Sequence, residues 1–72
     1  MNEREHLAQA DRQIAECKAH IARHREIIRK AAQRGQETSW AREMLRAFEE
    51  TLRIFEKHRQ LIVDRLQGTE QR

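Results

Sequence analysis

Two runs of residues, each alternating spacings of three and four without a slip, constrain this chain more than any other feature. The first is Leu7, Ala10, Ile14, Cys17, Ile21, His24, Ile28 and Ala31; the second is Ala41, Leu45, Phe48, Leu52, Phe55, Arg59, Ile62 and Leu66. That spacing gathers side chains on one face of an α-helix, and a strict seven-residue repeat winds two such faces into a left-handed supercoil. Breakers are scarce: the 72 residues include no proline and two glycines, Gly35 and Gly68. The intervening segments are rich in Ala, Leu, Ile, Glu, Gln, Lys and Arg, which favour helix. The expectation is an all-α chain forming one domain over 1–72: a helix from about 3 to 34, a turn from about 35 to 39, a helix from about 39 to 67 and a frayed tail at 68–72.

Gly35 stands where a left-handed residue would close the first helix, with Lys30 and Arg34 suited to the negative end of its dipole. Thr38 or Ser39 offers a capping hydroxyl for the second helix, whose positive end has Glu37 and Glu43 nearby. A connection of about five residues makes the helices antiparallel neighbours, each arm about 45 Å long at ~1.5 Å per residue. The architecture is therefore an antiparallel two-helix coiled-coil hairpin. Its register follows from pairing a positions with d positions. Pairs whose residue numbers sum to about 76 place Ile28 opposite Phe48, Ile21 opposite Phe55, Ile14 opposite Ile62 and Cys17 opposite Arg59; this pairing is preferred over a sum of about 72 or 73.

The second helix carries more apolar surface than one neighbour covers. Trp40, Met44, Ala47, Thr51, Ile54, His58 and Leu61 make a second three-four series beside the seam, widening the apolar arc to roughly 160° where ~100° suffices for one partner. An isologous dimer would cover it, two hairpins joining in a four-helix bundle; a groove for a foreign helix is the other option. These seven residues are the expected oligomer interface.

Cys17, His20 and His24 share one side of the first helix, and His58 becomes a lateral neighbour of His20 in the preferred register. Thiolate and imidazole suit zinc, so these four are the candidate metal ligands, although their spacing lacks the paired C-x-x-C form of a closed site. Small or amphipathic packing is the competing reading. No other cofactor is expected. Arg59 is a charge within the seam, and a polar residue there can fix register at some cost in stability.

The chain has 15 Lys and Arg against 12 Asp and Glu, a formal +3. Positive charge concentrates between Lys18 and Arg34, where six cations face Glu26 alone. Arg23, Arg25, Arg29, Lys30 and Arg34 are thus candidates for tracking nucleic-acid phosphates. Carboxylates across the hairpin would absorb part of that charge, and no helix-turn-helix spacing, zinc finger or aromatic ladder accompanies it. Neither a glycine-rich phosphate loop nor a nucleophile or metalloprotease motif is present, and the chain is short for a pocketed catalyst, so no enzymatic activity is expected. A lone cysteine, no long apolar run and no signal-peptide pattern point to a cytoplasmic protein without membrane contact.

The runs Arg4-Glu5-His6-Leu7-Ala8-Gln9-Ala10-Asp11-Arg12, Ala41-Arg42-Glu43-Met44-Leu45-Arg46 and Phe48-Glu49-Glu50-Thr51-Leu52 resemble those of small helical-hairpin proteins of soil and plant-associated alphaproteobacteria. The resemblance implies a bacterial, cytosolic origin; that group brings no activity or ligand with it. Together these readings describe a small protein–protein interaction or regulatory module that acts through helix faces and homodimerises, with a basic nucleic-acid-associated protein as the alternative.

Overall fold

A computed structural model describes residues 2–70 of the chain. It contains two helices, α1 (Glu3–Gln33) and α2 (Ser39–Glu70), which fold back on each other as a rod 59 × 17 × 14 Å in extent. The expected helical hairpin is present.

Local chemistry accounts for each boundary. Asn2 caps α1, its Oδ1 accepting from the Glu5 amide at 2.9 Å, and Glu3 and Glu5 place negative charge at the positive end of the dipole. At the other end Gly35 takes φ +71°. Gly35 N–H donates to the Ala32 carbonyl at 3.0 Å and Gln36 N–H to the Ala31 carbonyl at 2.9 Å, the pair of reversed bonds that a Schellman closure uses. The second helix starts three residues later. Its capping oxygen comes from Glu37, whose carboxylate accepts from the Ser39 amide at 2.6 Å, while the Thr38 hydroxyl accepts from Arg42 Nε at 2.9 Å. That amide holds the Glu37 carboxyl below the usual carboxylate range.

The second glycine acts differently from expectation. α2 runs through Gly68 to Glu70, so 68–70 are helical rather than frayed, and 71–72 lie outside the described residues. A glycine inside a helix costs about 1 kcal/mol relative to alanine but does not end it unless the chain needs the left-handed conformation, which among the described glycines Gly35 alone adopts.

The seam is the one the periodicity marked. Ala10, Cys17, Ile21 and Ile28 of α1 and Ala41 and Ile62 of α2 are buried, while Leu7, Ile14, Leu45, Phe48, Leu52, Phe55 and Leu66 are half-buried. The register differs from the preferred one. Phe48 lies against His20 (ring centroids 5.6 Å, stacked) and His24 (4.9 Å, edge-on), not against Ile28. Cys17 Sγ donates to the Phe48 carbonyl at 3.4 Å, and Arg59 reaches Asp11 rather than lying opposite Cys17. Paired numbers sum to about 70, closer to the 72–73 alternative than to 76. The cause is the turn: α1 closes at Arg34 and α2 opens at Ser39, so the chain reverses around Gln36, two residues earlier than a sum of 76 requires.

Candidate protein interface

A two-helix hairpin offers each seam residue only one covering neighbour, so its interior is thin. Six apolar side chains are buried among the described residues, two of them alanines. Small domains already bury only about 60% of their unfolded surface, and a single pair of helices is at the unfavourable end of that range.

The apolar surface left over is concentrated on one flank. Trp40 is 59% exposed, Ile54 58%, Leu61 56% and Met44 44%. They lie at the three-four spacing that puts them on one side of α2, with the exposed Ala47 and His58 and the half-buried Thr51 filling the series. Thr51 turns its hydroxyl onto the Ala47 carbonyl at 3.0 Å, which satisfies the polar atom within the helix and leaves its methyl on the surface. α1 leaves the belt uncovered because it sits over the seam about 100° further round α2.

Sequence reasoning missed one member of this face. Ile27 of α1 is 42% exposed. It stands seven residues beyond His20, which stacks on Phe48 and lines a shallow groove of about 330 Å³ together with Gln13, Glu16, Cys17, Thr51 and Phe55. The seven-residue series His6, Gln13, His20, Ile27 was the available signal, but three polar members hid the fourth.

The four metal candidates are not drawn to a point. Cys17 is buried and engaged with the Phe48 carbonyl, and His20 and His24 pack on the Phe48 ring, with His24 Nδ1 3.3 Å from the His20 carbonyl. His58 lies ten residues beyond Phe48, about 15 Å further along α2. Its expected place beside His20 depended on the register the fold does not adopt. Among the described residues no group of three or more His, Cys, Asp and Glu is arranged to hold a metal ion.

The basic candidates divide. At 100° per residue Arg23, Lys30 and Arg34 point to one side of α1, and Arg25 and Arg29 to the other. Arg25 reaches Glu49 of α2 at 3.4 Å. Arg29 and Lys30 both turn to Glu26 on their own helix, and the hydrogen bond from Arg29 holds the Glu26 carboxyl below its usual range. Glu50, expected across from this stretch, binds Arg53 of its own helix at 2.6 Å. All these pairs are exposed, where ion pairs contribute little.

Arg59 is half-buried in the seam. Its aliphatic stem covers apolar surface while the guanidinium emerges to meet Asp11, with Nε 2.6 Å from Oδ1. Nearer the open end Arg65 approaches Glu3 at 3.9 Å. No described helix is long and apolar enough to cross a membrane. Comparison of the chain with family models, curated proteins and solved structures finds no match to any of them, so the functional reading rests on the surface described above.

Proposed function

We propose that this protein is a small, non-enzymatic interaction module that works by packing a helix face, first against a second copy of itself. The observation that carries the reading is the uncovered belt: Trp40, Met44, Ile54 and Leu61, aligned along α2, with Ile27 beside them on α1. Large apolar side chains continuous over five turns are characteristic of binding surfaces, and Trp and Met are among the residues enriched at them. The thin interior argues the same way, since a second hairpin would supply the burial that one neighbour does not.

Area supports the reading. The flank that carries both helices measures 59 by 17 Å, about 1,000 Å² in projection, against roughly 800 Å² per partner in a standard interface. The nucleic-acid alternative has less support, because the candidate cations occupy two sides of α1 and several are paired with carboxylates.

Sedimentation equilibrium at 50 and 500 mM salt, with and without duplex DNA, tests the proposal. Dimer mass at both salt concentrations without DNA is the expected result, because burial of apolar surface is weakly salt-dependent. Monomer mass throughout would overturn it, and mass gained only with DNA at low salt would favour the alternative.

A further inference from the structure

The belt has an internal symmetry that names the way two copies meet. Thr51 is its middle member, with Ala47 and Ile54, Met44 and His58, and Trp40 and Leu61 placed outward on either side. Each of these pairs sums to 101 or 102, and Thr51 doubled gives 102. From the spacing and the exposure of these residues, we infer that two copies associate with α2 antiparallel to α2, related by a two-fold axis passing at Thr51. This inference rests on the proposal that the belt binds a second copy.

Size complementarity favours the arrangement. It sets the small Ala47 of one copy against the large Ile54 of the other, and Trp40 against Leu61, while the least bulky pair, Thr51 with Thr51, stands at the axis where the backbones are nearest. Met44 meets His58, a thioether against an aromatic edge. Both ends of the belt are thereby covered.

The α1 edges follow from the hairpin register. Residue numbers paired across the hairpin sum to about 70, which puts the level of Thr51 near residue 19 of α1. Glu16 and Arg23 lie on either side of that level, so each carboxylate faces the other copy's guanidinium. Ile27 meets Gln13 in the same way. The outcome is an apolar stripe along α2 with a polar, charge-matched border along α1, the usual anatomy of an interface.

The competing two-fold arrangement runs its axis along the rod and stacks α2 of one copy on α1 of the other. That sets the belt against Gln13, Glu16, His20 and Arg23, burying charge against apolar surface. Placing stripe on stripe avoids this cost.

Cross-linking distinguishes the modes. In a Cys17→Ala background, Thr51→Cys should form a symmetric disulfide dimer in a glutathione buffer, oxidised glutathione taking up the two electrons, at least 10-fold faster than Leu61→Cys alone. A mixture of Trp40→Cys and Leu61→Cys chains should link to each other. Independently of cysteine, Ala47→Ile and Ile54→Ala should each weaken dimerisation at least 10-fold, and the two swaps in one chain should restore most of it. If sedimentation shows a dimer but Thr51→Cys links only to His20→Cys and the double swap gives no rescue, the antiparallel α2 arrangement is overturned while self-association stands. A monomeric protein at all concentrations would overturn both.

Discussion

Arg59 Nε lies 2.6 Å from Asp11 Oδ1, joining the helices across 48 residues of sequence. The pair matters less for its energy than for where it occurs, because a guanidinium in an apolar seam is satisfied only in registers that bring it to a carboxylate. Sliding α2 by half a heptad would separate Arg59 from Asp11 and leave a half-buried charge without its partner, a cost the observed register avoids. Replacing Arg59 with Leu is therefore expected to raise the melting temperature and to broaden the distribution of oligomeric states, read by calorimetry and sedimentation velocity. A variant that is less stable yet still uniform would count against this role. Asp11→Asn, at an exposed site, should cost under about 1 kcal/mol.

Gly35 is the position where the backbone itself selects the residue. With φ at +71° and open space around an added Cβ, Gly35→Ala meets no neighbour, and its whole cost is conformational, about 1 kcal/mol. Gly68→Ala sits in right-handed helix, also in open space, and should stabilise by a similar amount. Thermal unfolding of the two variants should move in opposite directions.

Acid should loosen the start of α2. The Glu37 carboxylate accepts from the Ser39 amide, and this lowers its folded-state affinity for protons. A carboxyl whose pKa is depressed on folding contributes stability above its unfolded value and loses it as pH falls through the folded value. Helix content should accordingly decline on acidification below the ordinary glutamate range, and Glu37→Gln should remove part of that decline. Circular dichroism at 222 nm between pH 7 and pH 2 measures both.

Two isoleucines on the same helix separate folding from association. Ile62 is 1% exposed in the seam and Ile54 58% exposed on the belt. Ile62→Ala should cost about 2–5 kcal/mol at any protein concentration, because it leaves a cavity within the hairpin. Ile54→Ala should cost little in dilute protein, with its effect growing as concentration drives association. Denaturant titrations at 1 and 100 µM would show a concentration-dependent gap between the variants, and equal losses at both concentrations would argue against the belt as an interface.

The sequence by itself determined what depends on near neighbours in the chain. The three-four spacing marked both seams, and Ala10, Cys17, Ile21, Ile28, Ala41 and Ile62, all seam members, are buried. The glycine at 35 located the reversal, and the belt of Trp40, Met44, Ile54 and Leu61 was legible because helical periodicity alone places those residues on one side. Tertiary structure decided how far one helix slides along the other. Heptad spacing is satisfied equally well after a slide that pairs other a and d positions, so the pattern carried no information to choose among them. The choice came from the length of the Schellman closure, from Phe48 settling between His20 and His24, and from Arg59 finding Asp11. That slide moved His58 away from His20, dispersing the proposed metal ligands, and it brought Ile27 onto the belt's flank. These are relations between residues more than 20 positions apart, set by packing and not by local preference.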